Sequence, residues 1–334
     1  MASIIEVRGL AKEYNKSVRA VNDISFDVHE GEVFGFLGPN GAGKSTTISM
    51  ITTLLTPTEG TILIDGKDSV KNSDAVRKMI GLVPQDLTSD DDLSGRENLL
   101  LQADLYNVPK SVARERSKEL LSMVQLDEAA DRLVDTYSGG MRKRLELIEG
   151  LIHRPKILFL DEPTLGLDVQ TRKIIWDYIK KLKEDNNMTV FLTTHYLEEA
   201  DSLCDRIAIV DEGKIKIIGT PDELKASLGG DKVDVDIHDP VDVTKRLSSL
   251  PGVQEVTNNG TIYTIRTTDG DATMCDVLSE ATNGKWKIVH ADIKRPSMNE
   301  VFLRYTGKNL HDNNAESSRE DSIRQNAQSR RRKK

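Results

Sequence analysis

Cysteine is nearly absent. The chain of 334 residues has two, Cys204 and Cys275, at no paired spacing. That excludes a disulfide framework and a cysteine-based metal cluster. Each reads as one buried thiol in a reducing compartment. Long apolar runs are also missing: none approaches the roughly 18 residues of a membrane span. The first residues, Met1 to Glu6, lack the basic-then-apolar layout of a signal peptide. These absences place the chain in the cytosol, or docked on something held in a membrane. Aromatics are scarce at 4%, so the 37% hydrophobic content must build the core largely from aliphatic side chains. A basic excess is missing too. The net charge is −8, and Lys308 to Lys334 alone contribute +4, so the remaining chain carries −12. An acidic body argues against non-specific nucleic-acid binding, which needs basic phosphate contacts.

What is present starts with length: 334 residues are long for one domain, and two are expected. The organising stretch is Gly38-Pro39-Asn40-Gly41-Ala42-Gly43-Lys44-Ser45-Thr46. It fits G-x-x-x-x-G-K-[ST], the phosphate-binding loop. An apolar strand pattern, Val33 to Leu37, precedes it, and a helix start follows from Thr47. Glycines let backbone N–H groups wrap around phosphate oxygens, and the helix N-terminus favours anions. Lys44 is placed to reach the β- and γ-phosphates, and the Ser45 hydroxyl to ligate Mg²⁺.

Residues 3–8 and 23–28 read as strands joined by a polar turn near Asn15 to Ser17. Tyr14 sits in that turn. It either stacks on a base or is half-buried at a strand end. Short strands are expected at Ile62–Ile64 and Ile80–Val83, the latter followed by Pro84-Gln85. After an acidic loop, Asp86 to Gly95, apolar residues recur at helical spacing from Arg96 to about Asp135, a helical insertion. Ser138-Gly139-Gly140 then opens a helix. It is either a plain loop or a second anion site by the logic of the first.

Ile157-Leu158-Phe159-Leu160 runs into Asp161-Glu162. Carboxylates at the C-terminal end of a central parallel strand lie where α/β proteins bind ligands. Asp161 is placed to hold Mg²⁺ and Glu162 to polarise an attacking water, unless the strand merely ends in solvated acids. Thr189 to Thr194 repeats the design and ends at His195, either a γ-phosphate contact or a structural histidine. Residues 206–210 and 214–218 pair as a hairpin. Thr220-Pro221 marks a boundary, followed by a short helix to Leu228. Strand, helix (Val241 to Leu250), two strands, helix (Ala272 to Ala281) and strand then follow, the βαββαβ order of a ferredoxin-like domain. Ser297 to Tyr305 is a last amphipathic helix. The polar tail beyond Gly307 ends in five basic residues and is expected to be disordered.

Taken together, the phosphate loop, Gln85, Ser138-Gly139-Gly140, Asp161-Glu162, Asp168 and His195 resemble the ABC ATPases in order and spacing. Asp92-Leu93-Ser94-Gly95-Arg96-Glu97-Asn98-Leu99, Tyr137 to Arg142 and Pro296 to Leu303 are similar to the daunorubicin-resistance type of exporter ATP-binding subunit. The resemblance implies an α/β fold: a parallel-sheet core, an antiparallel β subdomain and a helical subdomain (about 86–150) within residues 1–220. A ferredoxin-like accessory domain would occupy 221–307, and the tail 308–334. It implies that Tyr14 stacks on adenine, residues 38–46 hold the phosphates and Gln85 senses Mg²⁺ and the attacking water. Asp161 supports the metal, Glu162 is the catalytic carboxylate and His195 contacts the γ-phosphate. Ser138, Gly139 and Gly140 would contact the γ-phosphate held by a second copy, with Asp168 in the loop crossing between copies. The family's commoner signature has Leu and Gln where this chain has Tyr137 and Met141.

The expected function is therefore ATP hydrolysis by a homodimer that sandwiches two ATP molecules and drives a separate membrane permease, an exporter by family type. The segment from Asp86 to about Asp135 is the expected docking surface, and the chain is expected on the cytoplasmic face of the cell membrane. The C-terminal domain either supports the dimer or binds a regulatory ligand. A soluble ABC protein acting on ribosomes or DNA is the alternative; one cassette, an acidic body and no sustained heptads weigh against it.

Overall fold

Apolar alternation sets the first sheet. β1 (Ser3–Tyr14) pairs antiparallel with β2 (Val18–His29). β3 (Val33–Leu37) runs into α1 (Lys44–Ile51). β4 (Glu59–Ile64) and β5 (Lys67–Asp68) complete an antiparallel sheet in the order β2-β1-β4-β5. The computed structural model describes residues 2–15, 18–238 and 242–308. The described chain divides into two units, with the boundary between Ile218 and Gly219.

The first unit continues with α2 (Ser73–Arg77), β6 (Ile80–Val83), α3 (Gly95–Leu105), α4 (Lys110–Met123), α5 (Gly139–Glu149) and β7 (Ile157–Asp161). Then come α6 (Val169–Asn186), β8 (Thr189–Thr194), α7 (Leu197–Leu203), β9 (Arg206–Asp211) and β10 (Lys214–Gly219). The second sheet has the order β10-β9-β3-β8-β7-β6. Its strands β9, β3, β8, β7 and β6 run parallel. Every residue of β3, β7 and β8 is buried, as expected for parallel strands covered on both faces.

The scarce aromatics are concentrated where the two sheets meet. Phe26 from β2, Phe34 and Phe36 from β3, Phe159 from β7 and Phe191 from β8 form one cluster. Neighbouring ring centroids lie 5.5 to 6.0 Å apart. Such pairs add about 0.5–1.5 kcal/mol each beyond the area they bury. The cluster packs β2 against β3, β7 and β8, and parallel pairing gathers the C-terminal ends of β3, β6, β7 and β8 at one edge.

The helical insertion resolves into two helices. Ser94 and Glu97 form a capping box on α3. Asn107 then takes a left-handed backbone, φ 57°, and Pro109 follows before α4. Neither residue continues a helix readily, so the long periodic stretch breaks there.

The second unit holds α8 (Pro221–Ala226), β11 (Asp231–Ile237), α9 (Thr244–Ser248), β12 (Val253–Asn259) and β13 (Ile262–Thr267). It ends with α10 (Gly270–Gly284), β14 (Ile288–Lys294) and α11 (Met298–Thr306). The sheet order is β12-β13-β11-β14 with every neighbouring pair antiparallel, a ferredoxin-like arrangement. Val233, Val235 and Ile265 pack with Leu247 and Val277 into its core. α9 is shorter than the expected span from residue 241, which itself lies outside the described residues. The expected tail, apart from Lys308, also lies outside them. Cys204 is buried as expected, whereas Cys275 is exposed on α10, because helical periodicity turns that position to solvent.

Candidate active site

The stretch that joins β3 to α1 forms the floor of the site. Gly43 caps α1 in a left-handed conformation, φ 97°, and a Cβ there would stand 2.5 Å from the Ala20 carbonyl oxygen. Only glycine fits. Gly41 is also left-handed, and its missing side chain faces open space, so the backbone there is accessible to a ligand. The Lys44 ammonium turns inward. It donates to the Gly38 carbonyl at 2.9 Å and the Pro39 carbonyl at 3.2 Å, and lies 3.1 Å from Glu162 Oε1.

Glu162 follows β7 with φ 49°, an uncommon conformation for a residue with a Cβ. Its N–H is held by the Thr193 carbonyl and hydroxyl, at 3.2 and 3.1 Å. This turn aims the carboxylate between Lys44 and His195, whose Nδ1 is 3.1 Å from Glu162 Oε2. All three side chains are buried. Burial alone pushes the Glu162 carboxyl up, but the His195 hydrogen bond and the Lys44 charge outweigh it and hold the group below its ordinary value. Glu162 is therefore ionised at neutral pH and able to accept a proton.

Asp161 accepts from the Thr193 hydroxyl, and the Ser45 hydroxyl lies 3.3 Å from Asp161 Oδ1. A hydroxyl beside a carboxylate at the loop's end is a hard-oxygen donor pair that fits a small divalent cation whose remaining positions are filled by phosphate and water. Lys44, Ser45, Glu162 and His195 border a cavity of about 770 Å³ whose lining also includes Asn40, Thr46, Gln85, Gly166 and Tyr196, with Asp161 and Thr193 behind that lining. Thr193 and Tyr196 are the residues that sequence reasoning missed. Thr193 stands beside Asp161 in the β7–β8 register, so the Thr-Thr-His strand end carried the signal.

Other candidates lie apart from this cavity. Tyr14 is exposed at the end of β1, with the Lys12 ammonium over its ring, and does not line it. Ser138 caps α5, accepting from the Met141 N–H at 3.3 Å. Gly139 faces open space. Asp168 caps α6, accepting from Gln170 and Thr171. A Cβ on Gly140 would stand 2.7 Å from Thr171 Cγ2, so the two helix starts are neighbours. They form a second polar patch whose residues do not line the cavity of the chain's own phosphate loop.

A buried charge cluster ties that second patch to the first. Lys143 on α5 donates to the Pro84 and Gln85 carbonyls at 2.8 and 3.3 Å, and lies 3.5 Å from Glu146. Glu146 accepts from the Thr88 N–H, and Glu149 from the Ser89 hydroxyl at 3.0 Å. Burial pushes the Glu149 carboxyl up to about 7, with the Ser89 hydrogen bond opposing and the Glu146 charge adding. The folded group keeps a proton that the unfolded chain releases. Stability therefore falls as pH rises from the ordinary carboxylate value to about 7, and is level above that. At about 1.4 kcal/mol per unit the total is about 3 kcal/mol. Glu149→Gln is expected to flatten this slope, with a higher unfolding midpoint than the parent near about pH 8 and convergence near about pH 5. Equal slopes in the two chains would exclude a buried acid at this position.

Comparison with known proteins follows the same division. A family model described as ABC transporter matches residues 21–165, and one for the C-terminal domain of DrrA1-3-like ATP-binding proteins matches 219–306. The chain is 40% identical over 321 residues to the daunorubicin/doxorubicin resistance ATP-binding protein DrrA of Streptomyces peucetius, covering 95% of this chain and 96% of that one. The chain belongs to the ABC transporter family of ATPases.

A second relative of this ABC ATPase, the linearmycin resistance ATP-binding protein LnrL of Bacillus subtilis, is 36% identical and is covered over its full length, with 92% of this chain matched. Among solved structures, a dimeric ATP-binding cassette in a post-hydrolysis state with ADP and Pi superposes with a TM-score of 0.59 at 28% identity, over 65% of this chain and 98% of that one. CbiO1 of Clostridium perfringens gives 0.62 at 28% identity, over 75% and 97%. The departure from the commoner ABC signature has a packing reason. The Tyr137 ring is buried and its hydroxyl donates to the Ala129 carbonyl at 2.6 Å. It lies against Gly95, where a Cβ would stand 2.4 Å from the hydroxyl.

Proposed function

We propose that this ABC ATPase works as one of two copies that close around two ATP molecules, and that the closure drives a separate membrane permease of an exporter. One observation carries the reading. The Ser138-Gly139-Gly140 helix start does not border the cavity of its own phosphate loop. A chain with one loop and one such start completes a site only with a second copy. The dimeric relative carrying ADP and Pi supports the same arrangement.

In this reading ATP lies in the cavity with its phosphates along the 38–46 backbone, at the N-terminus of α1. Ser45 and Asp161 would hold Mg²⁺, which neutralises charge on the phosphoryl oxygens. Phosphate binding draws the Lys44 ammonium from Glu162 and the loop carbonyls to the phosphate oxygens. Glu162, released from Lys44 and still oriented by His195 and Thr193, accepts a proton from the attacking water. The water oxygen bonds to the γ-phosphorus as the bond to the bridging oxygen breaks, leaving ADP and phosphate. Gln85, on the cavity wall and tethered by Lys143, links the site to the helical part.

Among the described residues no helix is long and apolar enough to cross a membrane. A partner must then supply the pathway, and this subunit sits at the cytoplasmic face. The test is purification of the full chain from detergent-solubilised membranes of its own cells. Recovery with a polytopic membrane protein that raises its ATP turnover is the expected result. Recovery with ribosomes, and turnover insensitive to the membrane fraction, would overturn the transport reading.

A further inference from the structure

The C-terminal unit carries an arrangement that stability does not explain. Strand alternation buries Val233 and Val235 on one face of β11 and turns Lys232 and Asp234 to the other. In register, Lys232 lies opposite Arg266 of β13 and opposite Lys294 of β14. Three cations therefore stand in one row across three adjacent strands. Like charges directly opposite each other destabilise a sheet. Partial relief comes from Asp234, which takes Lys294 at 2.6 Å and also attracts Lys232, and from the more distant charge of Asp292 on Lys294. Glu255, opposite Arg266 on β12, forms no ion pair with it among the described residues.

The row opens into a cavity of about 240 Å³, where Arg304 of α11 joins Lys232, Arg266 and Lys294. Glu300 also lines it, but its carboxylate is committed to the capping box, accepting from the Ser297 N–H at 2.9 Å. Gly229 gives the Arg266 guanidinium its room: a Cβ there would stand 3.3 Å from Nη1. Among the residues that line the cavity, four cations face the single carboxylate of Glu300; Asp234, Asp292 and Glu255 stand on the same sheet outside the lining. We propose that this cavity is an anion site for a phosphate monoester. A phosphate dianion offsets the positive lining, and Arg266 and Arg304 supply planar, forked donors suited to its oxygens. Leu228 in the wall gives the organic part of the ester an apolar contact. The site is separate from the ATP cavity and does not depend on how that cavity is read.

The test uses the full chain with its ATP site filled by ADP. Glycerol 3-phosphate is titrated by calorimetry, and vesicles of phosphatidylcholine with or without phosphatidic acid are tested by flotation. Saturable binding of one probe per chain is expected, weakened about tenfold or more in Arg266→Gln and in Lys232→Gln. Both variants should keep the parental ATP turnover. Without probe, Lys232→Gln should melt about 2 °C higher than the parent, because the like-charge row is broken. Binding of glycerol 3-phosphate places the ester on a free metabolite; binding only to phosphatidic acid vesicles places it on a lipid. No saturable binding of either probe up to about 10 mM phosphate monoester, or binding equal in parent and variants, overturns the site.

Discussion

Glu162→Gln should bind ATP and hydrolyse almost none of it. The amide has the shape of the carboxylate but cannot take a proton, and a positioned base is worth about 10²–10⁴ in rate. Phosphate release should fall by that factor, and the variant should accumulate as an ATP-bound dimer in size-exclusion chromatography. The nucleotide-free state should suffer separately. Lys44 is only 4% exposed and loses its carboxylate partner Glu162, keeping the Gly38 and Pro39 carbonyls. Leaving a buried charge without its partner costs up to about 3–5 kcal/mol. ATP should therefore raise the melting temperature of the variant more than that of the parent. Parental turnover in Glu162→Gln would remove Glu162 from the chemistry altogether.

Ser138→Arg should be as damaging by a different route. Ser138 is the cap of α5, and its loss costs about 1 kcal/mol of helix stability. In the proposed dimer the larger effect is at the opposing copy, where a long cation would fill the space before the open Gly139 amide. Losing such a donor array costs about 10²-fold or more in rate. ATP binding to a single chain should be unchanged, because position 138 does not line that chain's cavity. Mixing this variant with Lys44→Ala should restore part of the activity: one of the two sites then pairs an intact loop with an intact helix start. A Ser138→Arg chain with parental turnover would sink the shared-site arrangement.

The phosphate loop and the acid pair after β7 were legible because strict backbone and charge demands fix their residue types. Strand lengths were less so. β1 spans twelve residues rather than six, because register shifts between Val7 and Leu10, and between Leu10 and Lys12, break the alternation that marks a strand. The charge cluster behind Gln85 was hidden for a related reason. Lys143, Glu146 and Glu149 follow one another at helical spacing and look like a solvated face, yet the chain after β6 folds over them. Tyr14 was placed by position alone, and position does not fix where a side chain at a strand end will turn. The cation row on β11, β13 and β14 required the register, which no local pattern contains.

The fit of Tyr137 against Gly95 constrains how this cassette can vary. The two positions come from separate sequence motifs, but each defines what the other can be. Tyr137→Leu would vacate the space under the ring and leave the Ala129 carbonyl with the Arg132 N–H as its donor; Gly95→Ala would bring a Cβ to 2.4 Å from the phenol oxygen. A side chain at position 95 is excluded while the tyrosine stays, and Tyr137→Leu leaves an empty space beside Gly95 that a larger residue there could fill. A designer who grafts the commoner signature onto this chain gains a free position at the start of α3 to refill the core.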